Sequence, residues 1–253
     1  MRFLFGLICV CSLAFLPMVG CSETADPAGN GGEGGGGTGG DGGADTVTIT
    51  AFVSGWDPEL GSTGALEGVA ICQTDTTNCV STDAGGNAAV EVPAAQEASY
   101  TMDLEGYGSY LDPVLLSEAQ AVALPMATDD RFSDMHGLVM SPYPMEGTGS
   151  IFVELVDDPI AGATFELSSG AGQPYYWDED KNWDAELSAT TSTGGGGFTE
   201  VAPGEYQIEI GGAATNCVLT PKGWPGDSPN TVRVPVREGY LTRAVLICEE
   251  ITR

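Results

Sequence analysis

Short apolar–polar alternation, interrupted every few residues by Gly, Pro or Asp, constrains this chain more than any other feature. Period-2 alternation runs through Tyr100-Thr101-Met102-Asp103-Leu104, Ala163-Thr164-Phe165-Glu166-Leu167, Tyr206-Gln207-Ile208-Glu209-Ile210 and Val232-Arg233-Val234-Pro235-Val236. Successive side chains of a strand point to opposite sides of the pleat, so each segment predicts one apolar and one solvated face. No long stretch carries helical spacing. The one modest helical candidate, residues 115–123, reads equally well as a strand. Strands this short, separated by turn residues at close intervals, predict an all-β chain folded as a sandwich.

The N-terminus follows a different logic. Met1-Arg2 precedes an unbroken apolar and small run over residues 3–20, the layout of a secretory signal peptide. The run barely reaches the ~20 apolar residues that a membrane span needs, and it contains Ser12 and Pro17. It ends in Met18-Val19-Gly20-Cys21. This resembles the lipobox of bacterial lipoproteins, in which a small residue precedes the cysteine that takes diacylglycerol, with Met18 here where Leu is usual. The resemblance implies removal of residues 1–20 and acylation of Cys21, with palmitate-type chains holding the protein to the cell envelope. Ser22 rather than Asp follows the cysteine, which by the enterobacterial sorting rule favours the outer membrane or cell surface. Residues 21–46 then read as a tether: eleven of the fifteen residues from 29 to 43 are Gly. Such a stretch has no core to bury, and ~25 flexible residues reach about 25–30 Å.

Charge and cysteines narrow the function classes. With Arg2 removed, the eight basic residues fall to seven against 36 acidic ones, a net charge near −29. A surface this acidic repels nucleic acid and suits solubility outside the cell. Of seven cysteines, Cys9 and Cys11 leave with the signal and Cys21 carries lipid. Cys72, Cys79, Cys217 and Cys248 remain, an even set in an exported chain, and so predict two disulfides. Three connectivities are open; Cys72–Cys79 with Cys217–Cys248 keeps each bridge within one half of the chain.

The chain also repeats itself. Leu66-Glu67-Gly68-Val69-Ala70-Ile71 parallels Ile160-Ala161-Gly162-Ala163-Thr164-Phe165, and Thr82-Asp83-Ala84-Gly85-Gly86 parallels Thr191-Ser192-Thr193-Gly194-Gly195. Val92-Pro93 and Tyr100 parallel Val201, Pro203 and Tyr206, with an insertion in the second copy around residues 175–187. This order, best seen in Ile160-Ala161-Gly162-Ala163, Thr193-Gly194 and Val201-Ala202-Pro203-Gly204-Glu205-Tyr206, resembles the carboxypeptidase regulatory-like (transthyretin-like) domains. The resemblance implies two tandem Greek-key sandwiches, at residues 47–126 and 148–253, joined by a linker at 127–147. It implies an accessory, spacer or binding role and no activity of its own.

Catalytic signatures are scarce. His136 is the only histidine, which excludes a three-histidine zinc site, and it is expected in a structural or surface role within the linker. Neither HExxH nor a GxSxG elbow occurs, and the Gly run at 194–197 lacks the Lys-Ser or Lys-Thr of a phosphate loop. Lys181 and Lys222, the only lysines, lie in polar, loop-like sequence, unlike the core-strand lysines of crosslinked adhesin sandwiches. The candidate ligand loop is the insertion, Tyr175-Tyr176-Trp177-Asp178-Glu179-Asp180-Lys181-Asn182-Trp183-Asp184. Its aromatics are suited to stacking on sugar rings or to covering the sandwich edge. Asp178, Asp180, Asn182 and Asp184 alternate as oxygen ligands do in a calcium loop, although Trp183 stands where that loop needs Gly. No cofactor is expected. The leading expectation is a non-catalytic, membrane-anchored envelope lipoprotein with a structural or binding role and an envelope protein or glycan as partner. A carbohydrate-binding or adhesion module comes second, and a hydrolase using unrecognised carboxylates third.

Overall fold

In the computed structural model, residues 45–169 and 172–251 are described. The expected signal peptide, Cys21 and the tether up to residue 44 lie outside them. Among the described residues there are eighteen strands and one helix, so the protein is all-β. The first repeat comprises β1 (Thr46–Asp57), β2 (Gly61–Ala65), β3 (Ala70–Gln73) and β4 (Cys79–Ser81). It continues with β5 (Asn87–Pro93), β6 (Glu97–Asp103), β7 (Ser109–Leu115) and β8 (Gln120–Met126). Helix α1 (Asp129–Leu138) follows. The second repeat comprises β9 (Gly149–Leu155), β10 (Ala163–Leu167), β11 (Gln173–Trp177), β12 (Trp183–Asp184) and β13 (Gly195–Val201). Its remaining strands are β14 (Gly204–Gly212), β15 (Ala214–Leu219), β16 (Trp224–Pro225), β17 (Thr231–Val236) and β18 (Tyr240–Glu250).

Both repeats are wired alike. The opening strand lies parallel to the closing one and antiparallel to a middle one: β1 between β8 and β5, β9 between β18 and β13. The facing sheet is β3-β6-β7 in the first repeat and β10-β14-β17 in the second. Small devices recur with the wiring. Thr82 Oγ1 accepts from Val69 N at 2.9 Å and donates to Leu66 O, while Thr190 Oγ1 accepts from Ala163 N at 2.9 Å and donates to Ile160 O. Gly86 and Gly194 have φ of 75° and 69°, where a side chain is strained. A Cβ there would also meet Val53 O at 2.4 Å and Leu155 O at 2.9 Å, each a carbonyl of an opening strand.

These contacts correct two details of the sequence alignment. Thr82 corresponds to Thr190, not Thr191. Ile71 pairs with Met102 and Phe165 with Ile210, so Tyr100, two residues before Met102, corresponds to Ile208 and not to Tyr206. A bulge between Phe198 and Val201 adds the residue that shifted the alignment at Val201. Tyr100 is fully buried, whereas Tyr206 is half-buried and donates its hydroxyl to Ala202 O at 3.0 Å.

The apolar residues form two clusters. One is led by Ile49, Ile71, Val90, Tyr100, Met102 and Leu124, the other by Ile151, Leu155, Phe165, Ile208, Val232 and Leu246. The disulfides Cys72–Cys79 and Cys217–Cys248 form as expected, the first across β3 and β4, the second from β15 to β18. The halves do not stay apart. β18 also pairs in parallel with β7 through Tyr240–Ser109, Leu241–Tyr110 and Thr242–Leu111, which merges two sheets into one of ten strands. The expectation of one solvated face per strand therefore fails on β6, where Ser99 and Thr101 are buried along with Tyr100 and Met102.

The segment 127–147 holds α1. Thr128 caps it by accepting from Arg131 N, and Asp129 and Asp130 occupy its first turn, where carboxylates favour the positive end of the helix dipole. Phe132, Met135 and His136 face inward and belong to, or pack beside, the first cluster. The other helical candidate, residues 115–123, is the end of β7, a turn and the start of β8.

Candidate functional site

The chemistry of this protein gathers at the seam between the repeats. One step beyond the three-residue ladder of β18 and β7, Arg243 meets Asp112. Arg243 Nε donates to Asp112 Oδ1 at 2.7 Å and Nη2 to Oδ2 at 2.6 Å, a two-pronged pair with Asp112 fully buried and Arg243 4 % exposed. Arg243 Nη1 donates to Pro125 O at 2.8 Å, and its guanidinium lies 4.6 Å over the ring of Tyr110. Tyr100 donates its hydroxyl to Asp112 Oδ2 at 3.2 Å. Lys222 Nζ lies 3.9 Å from the same oxygen and donates to Ala123 O at 3.4 Å. Beside it, Trp224 Nε1 reaches Ala98 O at 2.9 Å and Val114 O at 3.2 Å.

Electrostatics follow from that packing. Burial opposes ionisation of Asp112, but the charges of Arg243 and Lys222 and the hydrogen bonds from Arg243 and Tyr100 outweigh it and hold the carboxyl below its ordinary range. An ionised carboxylate clamped in this way is a poor electrophile, so the proximity of Lys222 gives no route to an amide crosslink. Burial and the adjacent Arg243 bring the Lys222 ammonium down to about 8, against the opposing pull of Asp112 and Glu154. Burial raises Glu154, partly offset by the charges of Lys222, Lys181 and Arg243.

Six basic side chains lie in the described residues, and five of them cross the seam. Besides Arg243 and Lys222, Arg233 pairs with Glu97 and Arg237 with Asp75, and Arg131 Nη2 donates to Asn182 Oδ1 at 2.9 Å. Lys181 instead sits 5.8 Å over the Trp177 ring. A chain with 36 acidic residues places nearly all its described cations where two acidic halves must touch.

The insertion, the candidate ligand loop of the sequence, also ends at the seam. Tyr175, Tyr176 and Trp177 lie in β11, and Trp183 with Asp184 forms β12. Tyr175 is fully buried, Trp183 is 3 % exposed, and Tyr176 and Trp177 are buried with them. Trp183 stacks on Tyr175 at 4.1 Å and lies 5.0 Å from His136 of α1; Trp177 stacks on Phe152 at 4.7 Å. Tyr176 turns the other way, into the second core, where its hydroxyl oxygen accepts from Phe165 N at 3.0 Å. Faces covered by protein are not free to stack on a sugar.

The polar residues of the insertion shape its turn. Asp178 Oδ1 accepts from Asp180 N and Asn182 N at 2.9 and 2.8 Å, and Asp184 Oδ1 accepts from Glu186 N at 2.7 Å. With Asn182 Oδ1 taken by Arg131, the oxygens proposed for calcium do not converge. Among the described residues no group of three or more His, Cys, Asp or Glu side chains is placed to hold a metal ion. His136 is fully buried, its Nδ1 3.2 Å from Ser141 Oγ, and burial pushes it down to about 4, so it is a neutral structural group at pH 7.

A cavity of about 100 Å³ remains in the seam. Trp56, Phe152 and Trp177 wall it, and Glu154, Lys222 and Arg243 line it as well. Trp56 and Trp177 lie within 11° of parallel with centroids 6.0 Å apart. The buried Trp177 Nε1 has no hydrogen-bond partner.

Sequence reasoning missed Asp112 and Arg243, although each is a lone charge in an apolar run, Tyr110-Leu111-Asp112-Pro113-Val114 and Leu241-Thr242-Arg243-Ala244-Val245. Opposite charges in two buried strands are the signature of a pair.

No protein-family model and no curated protein matches this chain. Among solved structures, the minor pilin GBS52 of Streptococcus agalactiae aligns over 82 % of this chain and 97 % of its own, at 13 % identity and a TM-score of 0.26. A streptococcal ancillary pilin aligns over 82 % and 63 %, at 13 % identity and a TM-score of 0.22. The Bacillus anthracis TIE protein aligns over 81 % of this chain and only 34 % of its own, at 13 % identity and a TM-score of 0.25. Likeness at this level adds nothing to what the strands themselves show.

Proposed function

We propose that this chain is a non-catalytic envelope lipoprotein, anchored through lipid on Cys21, which holds a rigid pair of carboxypeptidase regulatory-like sandwiches away from the membrane on its Gly-rich tether. The observation that carries this reading is the seam. Five of six described basic side chains, a shared sheet and the aromatics of the insertion are all committed to fixing one repeat against the other. A stiff, doubled β-unit suits a spacer, scaffold or presenting element. Two disulfides suit a chain that folds in an oxidising compartment, and a strongly acidic composition suits solubility there. Acyl chains supply about 0.8 kcal/mol per buried CH₂, and two or more make a lasting anchor.

The test is Cys21→Ser in the producing cell. The variant is expected to leave the membrane fraction and lose its lipid label while keeping the wild-type melting temperature. Retention in the membrane with lipid still attached would refute the anchor. Flat activity across glycoside and ester substrates is expected as well, and turnover of any of them would refute the non-catalytic role.

A further inference from the structure

We propose that α1 is an acid-sensitive strap: a proton on His136 lifts the helix from Trp183 and opens the aromatic side of the seam while both sandwiches stay folded. How the helix is held comes first. Among the described residues no strand lies between β8 and β9, so α1 shares no sheet ladder with either repeat. Its two ends are pinned separately. At its start, Asp129 N donates to Gly106 O and Gly108 N to Ala127 O, each at 3.0 Å. Beyond its end, Gly147 N donates to Glu238 Oε1 at 2.8 Å. Between the pins, Arg131 Nη2 donates to Asn182 Oδ1 at 2.9 Å and Gln173 Nε2 to Val139 O at 2.8 Å. The rest of the attachment is the packing of Phe132, Met135, His136 and Val139, all buried. A segment held in this way can lift between fixed ends without breaking a sheet.

His136 is the lock. Its ring lies 5.3 Å from Tyr143 and 5.0 Å from Trp183. Nδ1 meets Ser141 Oγ at 3.2 Å, and Nε2 is buried with no partner among the described residues. A neutral imidazole tolerates this, because one of its nitrogens carries no proton. An imidazolium carries a proton on both, which makes Nε2–H a buried donor without an acceptor. No element packed around the ring turns a carboxylate toward it. On α1, Asp130 and Asp134 are exposed, Asp129 accepts from Tyr143, and Arg131 is bound to Asn182. On β12, Asp184 accepts from Glu186 N, and on β11 the Tyr175 hydroxyl donates to Ile151 O. Tyr110 of β7, edge-on to Phe132, accepts from Ala127 N, and Glu146 is exposed.

Burial holds His136 down to about 4, and release into water returns it to 6.5. The released helix therefore binds the proton more tightly, so opening is favoured as pH falls below 6.5 and levels off below about 4. The gain is about tenfold per pH unit in that window, and about a hundredfold by pH 4. Phe132, Met135 and Val139 leave their packing with the helix, so the open form is a minority state that the proton makes more frequent. The device rests on α1 and the insertion alone, so it stands or falls separately from the lipid anchor.

The experiment is amide hydrogen exchange of the full-length protein in a maltoside detergent between pH 7 and pH 4. Each rate is divided by the amide's intrinsic rate at that pH, and the series is repeated in low guanidinium. The α1 amides are expected to open about a hundredfold more often at pH 4 than at pH 7. At pH 4 they should open at least about tenfold more often than amides of β9 and β18, and with little dependence on guanidinium, as a local opening does. In His136→Gln the rise in α1 is expected to vanish. Helix and strand amides exchanging together, with one guanidinium dependence, would mean global unfolding alone and would overturn the strap. A rise in α1 of less than about threefold would overturn its sensitivity to acid, and needs no variant to fold. An undiminished rise in a folded His136→Gln would overturn the role of His136.

Discussion

The core of the second repeat and the seam are made of different materials. The core is mainly aliphatic: Ile151, Val153, Leu155, Ile208, Ile210, Val232, Val234 and Leu246 interlock with few polar atoms. The seam holds Trp177, Trp183, Trp224, Tyr110, His136, Asp112, Arg243 and Lys222. Aliphatic packing supplies stability that is indifferent to orientation, since many arrangements bury the same area. A two-pronged ion pair and indole N–H bonds form in one arrangement only. The difference teaches that the cores fold each repeat, while the seam determines how the repeats sit, at some cost in desolvation.

The strongest way to break this contrast is to remove one partner of the buried pair. Arg243→Met leaves the buried Asp112 with only the more distant Lys222 and the Tyr100 hydroxyl, and should cost about 3 kcal/mol in chemical denaturation. The double variant Arg243→Met with Asp112→Leu should recover most of that loss, because apolar residues of similar size often replace a buried pair without net cost. No recovery in the double variant would show that the pair contributes more than mutual neutralisation.

Acid is the next lever. His136 is held down to about 4 from 6.5, so it stays neutral in the fold while the unfolded chain takes up a proton below 6.5. Stability is therefore full above pH 6.5, falls as pH drops toward 4, and is lower by about 3 kcal/mol once both states are protonated. Asp112 acts lower. Its carboxyl is depressed in the fold, so its contribution is present above the ordinary carboxylate value and is lost as pH falls through its lowered one. His136→Gln should flatten the slope between pH 6.5 and 4 in denaturation midpoints; an unchanged slope would place the acid sensitivity elsewhere.

Smaller effects sharpen the comparison. Trp224→Phe removes the donor shared by Ala98 O and Val114 O and should cost about 1–3 kcal/mol. Arg237→Ala cuts a pair with exposed Asp75 and should stay within about 1 kcal/mol, since solvent screens such pairs. If calorimetry ranked Arg237→Ala above Trp224→Phe, surface charge rather than buried geometry would hold the seam.

Much of the fold was legible in the chain. The alternation at 163–167 coincides with β10, and the repeated Gly68 and Gly162 mark turns with φ of 79° and 83°. Both disulfides follow from keeping each pair within one half. The seam was far less legible, because its partners are distant in sequence: Asp112 and Arg243 lie 131 residues apart, and Glu97 and Arg233 lie 136 apart. Composition left both readings of the insertion's aromatics open, a platform for a sugar or cover for the sandwich edge, since buried and ligand-binding tryptophans look alike in a sequence. Helix α1 was missed because its ten residues, with Asp129 and Asp130 at the start and Gly137 near the end, resemble a polar linker until Thr128 is seen as a cap.

Calorimetry of the full-length protein tests the weld most directly. If the repeats form one cooperative unit, a single transition appears, its calorimetric and van't Hoff enthalpies agree, and Asp112→Asn moves that whole transition to lower temperature. Two resolved transitions, only one of them shifted by Asp112→Asn, would mean that the sandwiches fold independently and that the seam is merely a contact between them.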